Sequence, residues 1–131
     1  MKQIFFLLLI ITACSCEKQA IMSYKVENNT SKTMKIIFFN MNGYDRTTYN
    51  KVDSVFIDAS TEKLIVVQSK GLSRISNYKE NETNLREFKS FEVYQTNIES
   101  KSDFLLSNKW VYSEKDAHNA VYVCYVTQSD F

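Results

Sequence analysis

From residue 23 onward, apolar residues recur at every second position or gather in runs of strand length, with polar clusters between them. SYKVE (23–27) sets Tyr24 and Val26 on one side, and TMKIIFFN (33–40) puts Met34, Ile36 and Phe38 on one face with Ile37 and Phe39 on the other. VDSVFID (52–58) carries Val55 and Ile57, and KLIVVQ (63–68) carries Leu64 and Val66. FKSFEVYQ (88–95) aligns Phe91 with Val93, KWVYS (109–113) aligns Trp110 with Tyr112, and AVYVCYVT (120–127) aligns Val121, Val123 and Tyr125. These runs predict seven strands, and no 12-residue stretch holds a helical period.

Seven short amphipathic strands must bury one face each, which predicts an all-β fold: a seven-stranded β-sandwich of the immunoglobulin or transthyretin type, with a small β-barrel as the alternative. The last two runs predict a C-terminal hairpin closed by EKDAHN (114–119), with Trp110 and Tyr112 beside Val121, Val123 and Tyr125 on the core-facing side. ENNTSK (27–32) and NMNGYD (40–45) read as the first two connections. The chain has no proline and two glycines, so Asn, Asp, Ser and Lys must make its turns. GLSRISNYKENETNLRE (71–87) is the most irregular stretch and reads as a solvated connection between sheets, with room for a helical turn near Thr83 or Asn84. NIESKSDFLLSNK (97–109) is a second connection, in which Phe104, Leu105 and Leu106 are expected to plug one end of the core.

Ahead of the strands lies a different pattern. Lys2 gives a positive start, Ile4 to Ile11 an apolar core too short to span a bilayer, and Thr12 and Ala13 small residues before Cys14, the layout of a secretory signal. Ile11, Thr12, Ala13 and Cys14 resemble, position for position, the lipobox of bacterial lipoproteins. That resemblance implies cleavage before Cys14, a thioether-linked diacylglycerol on its sulfur and an N-acyl chain such as palmitate on the new terminus. Acyl chains contribute about 0.8 kcal/mol per buried CH₂, so several chains make a lasting anchor. Ser15 rather than Asp follows the cysteine, which by the same resemblance favours the outer membrane. Glu17 alone, followed by Lys18, is a poor match to an acidic surface-export tag, so the periplasmic face is expected. The organisation read from the chain is a signal peptide over 1–13, a lipidated tether over 14–21 and a single domain over 22–131.

Cleavage would remove 13 of the 131 residues and one of the 16 basic ones, leaving 15 basic against 15 acidic residues. A chain of zero net charge exerts no long-range pull on nucleic acid, and no basic stripe is present, so no nucleic-acid partner is expected. An oxidising envelope permits a disulfide between Cys16 and Cys124, while a cysteine inside an apolar strand is also a common small buried hydrophobe.

Catalytic chemistry is sparse. The single histidine, His118, falls in the predicted hairpin loop, which leaves no metal-ligand cluster and no base beside a nucleophile. No G-x-S-x-G elbow and no glycine-rich phosphate loop occur. No cofactor, no metal and no enzymatic activity are therefore expected. Aromatic residues make up 14% of the chain, and Tyr44, Tyr49 and Tyr78 fall in predicted loops, where rings can stack on sugars or peptides. Two readings follow: a non-catalytic lipid-anchored envelope module serving as a structural, assembly or protein-binding component with an envelope protein partner, or a glycan or small-molecule binder using the loop tyrosines.

Overall fold

In a computed structural model the described residues are 18–41 and 49–131, with side chains described over 18–40 and 53–131. They form eight strands: β1 (Ala20–Asn29), β2 (Met34–Met41), β3 (Tyr49–Ile57), β4 (Glu62–Gly71), β5 (Phe88–Gln95), β6 (Ile98–Glu99), β7 (Trp110–Glu114) and β8 (Asn119–Thr127). Two four-stranded sheets pack face to face, one in the order β4-β1-β8-β7 and the other β3-β2-β5-β6. The fold is thus an all-β sandwich of two open sheets rather than a closed barrel. Every neighbour pair is antiparallel except β1 and β8, which run parallel at the centre of the first sheet.

Seven of these strands cover the seven runs predicted from alternation. The eighth, β6, is two residues long and follows a two-residue turn in which Thr96 and Asn97 have φ of 50° and 64°. Two successive positive φ values are the geometry of a tight hairpin, and without glycine the turn carries little sequence signal. Ordered pairing also begins at Ala20, opposite Gly71, two residues ahead of the domain start read from the sequence.

The core is one contiguous cluster fed by alternate residues of both sheets: Met22, Tyr24 and Val26 from β1, Met34, Ile36 and Phe38 from β2, Phe91 and Val93 from β5, and Tyr122, Cys124 and Val126 from β8. Trp110 is buried at its centre, edge-on to Phe91 and stacked on Phe88, and donates its indole N–H to the Phe104 carbonyl at 2.8 Å. The C-terminal hairpin forms as expected, but the inward face of β8 is Ala120, Tyr122, Cys124 and Val126 rather than Val121, Val123 and Tyr125. Trp110 accordingly lies opposite Cys124 and Tyr112 opposite Tyr122. β8 is a central strand with apolar residues on both faces, so its pattern did not say which face was inside, and a one-residue slip exchanges the two sets.

A second departure lies in β4. Leu64 was expected to share the inner face with Val66, yet it is 50% exposed. The register shifts there, Tyr24 pairing with Val66 and Lys25 with Leu64, so that Ile65 is the extra residue of a β-bulge. The bulge turns Ile65 against the core and leaves Leu64 outside.

One end of the sandwich is organised by Asn28, whose buried Nδ2 lies 2.9 to 3.1 Å from the carbonyls of Lys32, Ile57 and Asp58, while its Oδ1 accepts the Thr30 amide at 3.0 Å. Gln95 of the second sheet donates to Thr30 Oγ1 at 2.7 Å, tying the two sheets together where β1 passes over to β2. At the opposite end the 72–87 segment is more than a solvated connection. Ile75 and Leu85 are buried in the core cluster, and their amides donate to the carbonyls of Ala117 and Leu105. A 3-10 turn spans Ile75–Tyr78, and no α-helix occurs among the described residues. In the 97–109 connection Phe104 enters the core as expected, with Leu105 packed against it.

Candidate binding surfaces

Cys14, Cys16 and Tyr44 lie outside the described residues. Tyr49 opens β3 by its backbone, its side chain outside the described set, and Tyr78 ends the 3-10 turn half-buried against the core. Cys124 is a free, fully buried thiol, and burial pushes its pKa up to about 12, which makes it an inert packing residue. His118 is half-buried in the β7–β8 loop, where its amide donates to Asp116 and its carbonyl accepts from Ile21. Among the described residues no three His, Cys, Asp or Glu side chains are placed to hold a metal ion, and no helix is long and apolar enough to cross a membrane.

Two outward surfaces stand out instead, one on each sheet. On the β4-β1-β8-β7 sheet, the parity of β8 and the bulge of β4 together turn apolar residues outward. Pairing sets Val67, Ser23, Val121 and Ser113 in one cross-strand row and Leu64, Lys25, Val123 and Val111 in the next. Leu64, Val67, Val111 and Tyr125 are all large exposed hydrophobics, Val111 at 53%. The result is two outward apolar groups on one sheet face, Val111, Val123 and Tyr125 on β7 and β8 and Leu64 and Val67 on edge strand β4, with Ser23 and Lys25 of β1 between them and the Lys25 ammonium paired with Glu62 at 2.6 Å; Val121, in the first row, is buried. The unpaired side of β4 is a ten-residue edge with charged residues at its start and Lys70 near its end.

On the other sheet a groove of about 770 Å³ lies between the β1–β2 connection and the β5–β6 turn, lined by Lys32, Thr33, Lys35, Phe56, Tyr94 and Asn97 among others. Phe56, Lys35 and Tyr94 form one cross-strand row. The Lys35 ammonium lies 5.9 Å from the centroid of Phe56, which is 60% exposed. Tyr94 donates its hydroxyl to Glu92 at 2.8 Å, and this bond with the carboxylate pushes the phenol up to about 12. Neither lysine has a carboxylate partner among the described residues. This groove is at the end of the sandwich away from Ala20, whereas Tyr78 and the start of β3 are at the end near it. Phe56, Lys35 and Tyr94 sit at outward parity in their runs, but only the register brings them side by side.

Below the surface, at the end near Ala20, Lys70, Glu87 and Tyr24 form a polar cluster inside the core. Lys70 Nζ bonds Glu87 Oε2 at 2.9 Å and lies 5.8 Å from the Tyr24 ring. The Tyr24 hydroxyl and Glu87 Oε1 are buried without a hydrogen-bond partner. Burial, with Glu87 nearby, drives the Tyr24 phenol strongly upward, so it stays neutral.

No protein-family model, no curated protein and no solved structure matches this chain.

Proposed function

We propose that the protein is a lipid-anchored component of a bacterial cell envelope, held by acyl chains on Cys14, whose immunoglobulin- or transthyretin-like sandwich binds an envelope protein partner and performs no catalysis. The observation that carries this reading is the outward apolar group of Val111, Val123 and Tyr125 on the outer face of β7 and β8, with Leu64 and Val67 exposed on edge strand β4 of the same sheet. A contiguous outward apolar group such as Val111, Val123 and Tyr125 marks an interaction site more often than scattered single residues do. The tether supports the same reading. Five residues, 15–19, separate Cys14 from β1, and fully extended they span at most about 18 Å. A domain tethered so closely stands with the Ala20 end toward the bilayer and this apolar surface along its side, where a neighbouring envelope protein can pack. Ser15 favours the outer membrane, and the periplasmic face is the side proposed.

The test is affinity capture from native envelopes, comparing wild type with Leu64→Asp and Val111→Asp. One stoichiometric protein partner, recovered with wild type and lost with both variants, supports the proposal. Recovery of no partner, or of the same partner with all three proteins, overturns it.

A further inference from the structure

The groove on the β3-β2-β5-β6 sheet is independent of that apolar surface, and its chemistry is different. We propose that it is a saccharide site selective for acidic sugars, with a ring of the ligand on Phe56 and Tyr94 and its carboxylate or sulfate at Lys35 and Lys32.

Three features of the groove point to this class. First, Phe56 and Tyr94 flank Lys35 in one cross-strand row, so two aromatic surfaces are presented on either side of a cation on an open sheet face. Flat, half-exposed rings bind the apolar faces of sugars without demanding a deep cavity. Second, the rim carries short neutral hydrogen-bonding side chains, Thr33 from the β1–β2 connection and Thr96 and Asn97 from the β5–β6 turn. Hydroxyl and amide groups of this kind match the alternating donors and acceptors of sugar hydroxyls.

Third, the groove carries two lysines with carboxylates standing around them. Lys32 and Lys35 line it near the β1–β2 connection, and three carboxylates stand around them: Asp58, which accepts the Thr33 hydroxyl at 3.2 Å, Glu99 of β6 opposite Tyr94, and Glu92, which lies opposite Ile37 and accepts the Tyr94 hydroxyl. An acidic sugar satisfies this arrangement, its anionic group on the lysines and its hydroxyls donating to the carboxylates of Glu92, Glu99 and Asp58. A run of acidic peptide side chains meets Glu92 with like charge. The geometry therefore favours an acidic saccharide over an acidic peptide, and the lysines favour it over a neutral one.

The full chain, in detergent micelles, is titrated calorimetrically with tetrasaccharides of galacturonate, hyaluronan and heparin, with a neutral galactose tetrasaccharide and with a deca-glutamate peptide. At least one acidic tetrasaccharide should bind about tenfold or more tighter than the neutral one, the scale of one hydrogen bond to a charged group. Lys35→Gln should erase that preference. Phe56→Ala should weaken acidic and neutral sugars alike. Both positions face outward, and the thermal melts of the variants should match wild type. Failure of all three acidic tetrasaccharides to bind, deca-glutamate binding as tightly as the best of them, or unchanged binding by Phe56→Ala overturns the proposal.

Discussion

Lys70 Nζ and Glu87 Oε2 meet at 2.9 Å across the space between the two sheets, Lys70 from edge strand β4 and Glu87 from the residue just before β5. The carboxylate is nearly sealed, with 2% of its side chain exposed, and one of its oxygens has no partner. A buried ion pair of this kind gives up hydration for one strong contact, and the balance is commonly unfavourable. Here burial outweighs the attraction of Lys70 and raises the Glu87 pKa from 4.5 to about 7.

Stability should therefore depend on pH through Glu87. The unfolded carboxyl titrates near its ordinary value and the folded one near 7, so the fold binds this proton more tightly than the unfolded chain. Its contribution is fully present below about pH 4.5 and is lost as pH rises through 7, on the order of 3 kcal/mol across the window. Denaturant unfolding of wild type and Glu87→Gln at several pH values from 5 to 8 checks this. The difference between the two proteins should move in favour of the variant as pH rises, and a difference that stays constant with pH refutes it.

Trp110→Ala should cost roughly 3 to 5 kcal/mol, because it removes a buried indole from the aromatic cluster and leaves the Phe104 carbonyl without its donor. His118→Ala should stay within about 0.5 kcal/mol, since the bonds of His118 to Ile21 and Asp116 run through its backbone. Equilibrium denaturant melts of the two variants decide it, and a near-neutral Trp110→Ala would contradict the packing.

The strands were legible because most of them obey alternation: Met34, Ile36 and Phe38 all face inward, as their spacing predicts. Legibility failed where pattern is degenerate or interrupted. β8 is apolar at consecutive positions, so Tyr122 and Cys124 compete equally with Val121 and Val123 for the core, and the partner strands decide. The bulge at Ile65 breaks parity within a run of four apolar residues, where no glycine marks it. Both failures hid part of the exposed apolar surface, because Leu64, Val123 and Tyr125 are assigned inward by alternation, whereas Val67 and Val111 fall at outward positions. The groove was hidden for another reason: Lys35, Phe56 and Tyr94 come from three strands, and a linear pattern does not encode their register.

The bulge makes a sharp prediction about neighbours in sequence. Leu64→Ser should change stability by no more than about 0.5 kcal/mol, as exposed substitutions usually do. Ile65→Ser should cost at least about 1 kcal/mol, because it places a hydroxyl where a branched side chain packs against the core. Regular alternation would reverse the order, so denaturant midpoints of the two proteins distinguish the arrangements.

Asn28→Ala tests the opposite end of the sandwich. Its amide reaches carbonyls on both sides of the strand crossing, and the Ile57 bond is fully buried. Removing it leaves that acceptor unsatisfied, at about 1–3 kcal/mol, and frees the Thr30 amide held by Oδ1. Asn28→Asp keeps the acceptor for Thr30 but offers no donor to the carbonyls, and it brings a buried charge against them. It should therefore be at least as damaging as alanine at neutral pH and recover in part as pH falls through the carboxyl's titration. Denaturant melts of both variants at pH 7 and pH 4 measure this. If aspartate is tolerated at pH 7 as well as asparagine is, the three carbonyl contacts do not hold the crossing.

The anchor is tested by fractionation. On the proposed acylation of Cys14, Cys14→Ser should move the protein from the membrane pellet to the soluble envelope fraction, whereas Cys16→Ser should leave it in the pellet. The sandwich offers no membrane-spanning helix among its described residues to compensate, and residues 14–131, with 15 basic and 15 acidic side chains, carry no net charge to hold them on anionic lipid. Its exposed apolar surface is the one feature that complicates the outcome, because a partner bound there would keep some Cys14→Ser protein in the pellet. Combining Cys14→Ser with Val111→Asp separates the two contacts: release only in the double variant assigns the residual pelleting to the partner. A double variant that still pellets at moderate salt without aggregating shows that Cys14 is not the anchor.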